Sequence, residues 1–152
     1  VSTYPAVTLA DGSGNALALT GAGAVKVDGS AASTLTTFLT YVSAAQAVTN
    51  TGTSFLTSTV SALAVDITLT SFTGGTSPSV TYFIDRFGAD SVWYRVWTST
   101  ALTSAGATSV QIGPFPAATG IATAVLTGTA RFGWTSTGSP TAITFSASVI
   151  GR

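Results

Sequence analysis

Ser61-Ala62-Leu63-Ala64-Val65-Asp66-Ile67-Thr68-Leu69 alternates cleanly between large apolar side chains and small or polar ones from Ala62 onward. Leu63, Val65, Ile67 and Leu69 fall on one side of an extended chain. Ala62, Ala64, Asp66 and Thr68 fall on the other. That period of two is the pattern of a β-strand with one buried face. Helical periodicity is weak nearly everywhere in the chain, and Thr, Val, Ile and aromatic residues favour a pleated, half-buried surface.

Downstream, Phe72 to Pro78 reads as a turn (Thr73-Gly74-Gly75-Thr76-Ser77-Pro78), and Ser79 to Phe87 as the returning strand. Val80, Tyr82 and Ile84 share one face of it, and Thr81, Phe83 and Asp85 the other. Large groups on both faces predict a central or covered strand. Gly88-Ala89-Asp90 predicts a tight turn, followed by a strand over Ser91 to Trp97, in which Trp93, Arg95 and Trp97 alternate with Val92, Tyr94 and Val96. Thr98 to Gly106 reads as a loop. Ala107 to Ile112 reads as a strand closed by Gly113-Pro114-Phe115-Pro116, where the prolines end pairing. Ala122 to Thr135 reads as one long β-run with Gly128 and Gly133 as bulge or bend points. Thr137-Gly138-Ser139-Pro140 is a turn before the last strand, Ala142 to Ile150. In this region Phe132 and Trp134 are expected to alternate inward with Ile143 and Phe145. The segments around Thr73–Phe83 and Ser136–Phe145 echo each other as strand, Gly-Ser-Pro turn, strand. They read as two similar hairpins, one for each sheet of a sandwich, or as chance convergence on turn chemistry.

Upstream, Leu35 to Val42 reads as a strand, and Ser43 to Gly52 as a loop or one helical turn around Ala44, Ala45 and Ala47, with the body starting near Phe55. Nearer the N-terminus, Ala6 to Leu9, Ala16 to Thr20 and Ala24 to Val27 read as short strands around an Asp11-Gly12-Ser13-Gly14-Asn15 turn, with Asp28 to Ser33 as a linker. The expected architecture is all-β: a β-sandwich or jelly roll of about 8–10 short strands, with an immunoglobulin-like topology as the nearest competitor. The expected division is residues 1–34 as an N-terminal arm or hairpin region and residues 35–152 as the sandwich domain. The first part is either an arm that pairs with a neighbouring subunit or an ordinary hairpin of the same domain.

Composition narrows the function. Charged residues make up 7% of the 152 residues, against about 25% in an average soluble domain. So little charge suits a protein that lives inside an assembly, although a Thr/Ser-coated monomer has the same composition. The five cations and five anions cancel and are spread along the chain. No basic cluster predicts a nucleic-acid or membrane contact. The chain has no Cys, which leaves no disulfide, and no Met. Its start at Val1 fits removal of an initiator Met, and cytoplasmic synthesis is the simplest expectation.

His, Cys and Glu are all absent. A Ser-His-Asp triad is therefore impossible, and the usual ligands of zinc and iron are missing. No catalytic residue, cofactor or metal is expected. Asp85 and Asp90 could in principle serve as a carboxylate pair on a glycoside, but turn capping, or pairing with Arg86 and Arg95, accounts for them better. The Asp11-Gly12-Ser13-Gly14-Asn15 turn faintly resembles a calcium loop and lacks the downstream carboxylate. Trp93 and Trp97, with Arg95 between them, are read as sharing a face that is either core or a stacking surface for a neighbour. Trp93, Tyr94, Arg95, Trp97 and Phe115 are the candidate interface anchors.

From Leu63 to Arg152 the chain resembles a family of small virion structural proteins of the head-decoration type, from tailed bacteriophages of actinobacteria and related hosts. The residues carrying the resemblance are Leu63-Ala64-Val65-Asp66-Ile67-Thr68-Leu69, Gly75-Thr76-Ser77-Pro78, Tyr82-Phe83-Ile84-Asp85-Arg86-Phe87-Gly88-Ala89-Asp90 and Trp93-Tyr94. They continue through Ala130-Arg131-Phe132-Gly133-Trp134-Thr135 and Gly138-Ser139-Pro140 to Phe145-Ser146-Ala147-Ser148-Val149-Ile150-Gly151-Arg152. The resemblance implies a capsid decoration protein on the outside of a phage head, a trimer whose partners are the major capsid protein and copies of itself. A tail tube or tip subunit, and a carbohydrate- or receptor-binding module, are the alternative expectations.

Overall fold

The computed structural model describes residues 35–126 and 128–152. The expected arm or hairpin of residues 1–34, including its three short strands, lies outside the described residues.

Among the described residues nine strands form two sheets: β1 (Thr36–Gln46), β2 (Asn50–Leu56), β3 (Leu63–Thr73), β4 (Ser79–Phe87), β5 (Trp93–Thr98), β6 (Gly106–Gly113), β7 (Ile121–Thr123), β8 (Thr129–Thr137) and β9 (Ala142–Gly151). The sheet orders are β1-β9-β3-β6-β7 and β2-β8-β4-β5. Apart from the short β7, which lies parallel to β6, this is the strand order of a jelly roll. An immunoglobulin-like sandwich keeps its last two strands in one sheet; here β8 and β9 lie in different sheets. Six connections change sheets, and only β4–β5 closes as a hairpin between neighbours.

Alternation places the core as the sequence predicts. Leu63, Val65, Ile67 and Leu69 of β3, and Ile143, Phe145, Ala147 and Val149 of β9, all point inward and are buried. They face Val80, Tyr82 and Ile84 of β4 and Phe132 and Trp134 of β8, which are equally buried. Five rings join the layers: Tyr41 (β1) and Phe145 (β9) from one sheet, Tyr82 (β4), Phe132 and Trp134 (β8) from the other. The Trp134 Nε1–H donates to the Ala47 carbonyl at 2.8 Å, and the Tyr41 hydroxyl bonds Thr53 Oγ1 at 2.7 Å. The Tyr82 hydroxyl, by contrast, has no hydrogen-bond partner among the described residues, and burial pushes its pKa up. A buried hydroxyl without a partner opposes folding. Tyr82→Phe is therefore expected to raise stability by about 1 kcal/mol, read as a higher urea midpoint at unchanged m-value.

Three expectations need correction. Of Ser43 to Gly52 only Ala47 to Thr49 form a loop, and no helical turn is present there: β1 continues to Gln46, where Ala44, Ala45 and Gln46 pair with Phe145, Thr144 and Ile143 of β9, and β2 begins at Asn50. Pairing resumes after bulges between Thr37 and Leu39 and between Tyr41 and Ala44, so the ladder overrides the low β-propensity of Ala. Ala122 to Thr135 is not one run. β7 ends at Thr123 and β8 begins at Thr129, with Gly128 turning at φ 70° between them. Finally, Thr73–Phe83 and Ser136–Phe145 are not two hairpins that each build a sheet. Both are corners between sheets, and they interlock: β3 pairs with β9, and β4 with β8.

The two corners clasp each other directly. The Thr76 N–H donates to the Gly138 carbonyl at 2.8 Å, and the Thr141 N–H to the Thr73 carbonyl at 2.7 Å. Gly138 sits at φ 75°, and a Cβ there would lie 2.5 Å from the Thr76 carbonyl oxygen. Both the backbone angle and the close approach demand glycine. Gly138→Ala is expected to cost more than about 1 kcal/mol, lowering the melting temperature by several degrees in a thermal scan.

Candidate interaction surface

Four of the five candidate anchors, Trp93, Tyr94, Arg95 and Trp97, lie on β5 and divide between its two faces. Ile84 pairs with Trp97 but Asp85 pairs with Arg95, which leaves Val96 as the extra residue of a bulge. The bulge inverts the alternation, so Trp97 pairs with inward-facing Ile84 and packs, with Val96, against the core. Trp93 and Arg95 instead lie on the outer face with Phe83, Asp85 and Phe87 of β4. The expectation that Trp93 and Trp97 share a face is therefore wrong.

The outer-face group is built around one carboxylate. Asp85 points away from the core, yet its side chain is only 3% exposed because two guanidinium groups cover it. Arg95 Nε donates to Asp85 Oδ1. Arg131 donates to Oδ2 through Nε at 3.0 Å and Nη2 at 2.9 Å. The register sets this up, since Arg95 and Arg131 pair with Asp85 from the strands on either side of it. Aromatic rings support both cations. The Arg95 guanidinium lies 3.7 Å from the Phe83 ring centroid, and that of Arg131 lies 4.3 Å from Trp93. Such contacts add electrostatic attraction to ring packing. Phe83 can lie flat because Gly133 is its cross-strand partner; a Cβ on Gly133 would stand 2.5 Å from the Phe83 ring. Phe87 packs on Trp93 at 4.9 Å between centroids.

The same elements hold a second, smaller cluster. The Tyr94 hydroxyl donates to Asp90, whose other oxygen accepts from the Val92 N–H at 3.2 Å. The tyrosine hydrogen bond holds the Asp90 carboxyl below its usual range, and the same bond, with the carboxylate charge, raises Tyr94. Arg86 lies 5.4 Å from the Tyr94 ring. Asp90 thus caps its turn, while Asp85 pairs with Arg95 as the sequence suggests and also with Arg131, which the sequence reading did not bring to it. Phe115 is elsewhere. It follows β6, its ring lies on Gly113 and 6.0 Å from the Arg152 guanidinium, and its carbonyl accepts from Thr123 Oγ1.

Known proteins offer no guide. No family model, no curated protein and no solved structure matches this chain.

The opposite outer face, on the β1-β9-β3-β6 sheet, has a different chemistry. Register aligns Thr40, Ser148, Asp66 and Ser109 in one row across the strands, and Thr37, Ile150, Ala64 and Gln111 in the next. A further row holds Ser146, Thr68 and Ala107. Asp66 is exposed and is the single charge in these rows. Of the seven exposed large apolar groups among the described residues, Val42 lies within β1, and the other six gather at one end of the sandwich. Leu35 precedes β1, Leu56 ends β2, Phe87 ends β4, Val92 and Tyr94 flank the start of β5, and Val125 lies between β7 and β8; these six are 36–69% exposed. Strand directions place all of these positions together, and leave the opposite end to Gly-, Ser- and Thr-rich turns.

Proposed function

We propose that this protein is a structural subunit of a virus particle: a capsid decoration protein that binds the outside of a phage head and stabilises it through subunit contacts. It works by contact and not by catalysis. The observation that carries the reading is the uneven exterior of the jelly roll. Six of the seven large apolar side chains left in water among the described residues are concentrated at one end, while charge is nearly absent from the broad Ser/Thr sheet face. Contiguous exposed apolar groups mark contact sites more often than they mark free surface. Few charges weaken the repulsion that keeps a free protein from associating. The resemblance carried by Leu63 to Arg152 supports the same assignment. In this reading the apolar end seats on the major capsid protein, and copies of the chain meet side by side as a homo-oligomer, of which a trimer is the form the resemblance implies.

The test is composition by fraction. Particles that contain the protein are purified, heads and tails are separated, and each fraction is quantified by mass spectrometry. The expected result is a fixed multiple of the major capsid protein in heads. Recovery in tails alone would overturn the assignment and favour the tail-tube or tip reading. A sugar-binding platform on Trp93 and Trp97 loses its support, because the two rings lie on opposite faces of β5.

A further inference from the structure

We propose that the two outer faces of the sandwich are complementary, and that neighbouring copies of this chain join through them: the Arg95–Asp85–Arg131 group of one copy against the Asp66 face of the next. This rests on the reading of the protein as an assembly subunit, but not on its place in a head. The carboxylate of Asp85 balances only one of its two guanidinium partners, so the group carries one net positive charge. Arg95 remains 48% exposed there, with its Nη1 turned to Thr98 Oγ1 at 3.4 Å. The opposite sheet offers Asp66, exposed and without an ion-pair partner among the described residues. Its own row across the sheet holds only Thr40, Ser148 and Ser109 beside it, with Ile150 and Gln111 in the next row. A carboxylate from the neighbour would complete two cations with two anions. Trp93 and Arg95 are residue types that anchor interfaces.

Size is adequate. Four strands at about 4.8 Å spacing and roughly 30 Å length give a face of roughly 600 Å², near the ~800 Å² per partner of a standard interface. The contact joins unlike surfaces, so each copy donates one face and receives on the other. Repetition closes into a ring when the rotation permits. Opposite-charge contacts of this kind weaken in high salt.

The experiment uses the full chain. Wild type is expected to sediment as an assembly larger than the monomer at low salt, a ring or an open stack according to the rotation between copies. Asp66→Arg, a change at an exposed position, is expected to weaken association by about tenfold or more, with the far-UV circular dichroism of the folded chain unchanged. Because the protein has no cysteine, contact can be mapped directly. Ser109→Cys lies beside Asp66, and Thr98→Cys beside Arg95. On mild oxidation, a mixture of the two variants should form a mixed disulfide dimer faster than either variant pairs with itself. Equal self-pairing of Ser109→Cys, or undiminished association of Asp66→Arg, overturns the inference. So does a wild-type chain that stays monomeric at about 100 μM, a concentration that would populate even a weak micromolar complex. Such a monomer found in heads at fixed ratio would leave the decoration assignment standing.

Discussion

Replacing Asp85 with alanine should destabilise the domain by about 2–4 kcal/mol, measured by urea unfolding. Removing one partner of a buried ion pair typically costs about 3–5 kcal/mol, because the remaining charge is stranded. The expected value is lower here because the stranded groups are not equally trapped. Arg95 is 48% exposed and can turn into water; Arg131 is 23% exposed and is held against Trp93. The same difference orders the single cation deletions. Arg131→Ala should cost more than Arg95→Ala, since it removes two hydrogen bonds to Oδ2 and sits deeper, whereas a half-exposed pair is screened by solvent. A reversed order would mean that the Arg95–Phe83 contact, and not burial of the ion pair, dominates the group. Removing all three charges together, with Asp85→Leu, Arg95→Met and Arg131→Met, should cost less than Asp85→Ala alone, because no charge is then left unpaired.

How far the sequence reaches can be judged strand by strand. β3, β4 and β9 are legible because each carries long runs of period-two alternation, and the two-sided pattern of β4 correctly marks it as a central strand between β8 and β5. The boundary of β1 and β2 is not legible. Ser43 to Gly52 is rich in Ala, Ser and Thr, and all but its Ala47–Thr49 loop is extended because β9 and β8 supply ladders for it. Of the surface group, the Asp85–Arg95 pairing follows from a short hairpin and can be anticipated. Arg131 joins Asp85 from 46 residues away, and nothing local announces that register. The bulge at Val96 is equally silent: one extra residue moves Trp97 from the outer face to the core and dissolves the apparent Trp-Arg-Trp stripe. The signal that could have found Asp66 is the reverse of the usual one. A lone charge on the polar side of an otherwise ideal alternating strand marks the middle of a sheet's outer face.

Phe145→Ala should be among the most damaging single substitutions in the described domain, at about 3–5 kcal/mol, and near the upper end of that range. Phe145 is fully buried and is the ring through which the two sheets meet. Its centroid lies 4.8 Å from Trp134, 5.1 Å from Tyr82 and 5.8 Å from Tyr41. The cost of such a deletion depends on whether neighbours can collapse into the space. Here they cannot do so easily. Trp134 is tied to the Ala47 carbonyl, Tyr41 to Thr53, and each ring stands on a strand fixed on both sides or at a bulged edge ladder. The cavity should therefore persist. Loss of the edge-to-face ring on Trp134 should also change its fluorescence in the folded state. Thr68→Ala, on the outer face of β3, is the control and should stay within about 0.5 kcal/mol of wild type. A Phe145→Ala cost below about 2 kcal/mol would mean that the sheets can close over the gap, and that the interlocked corners at Gly138, more than the aromatic core, hold the two layers in place.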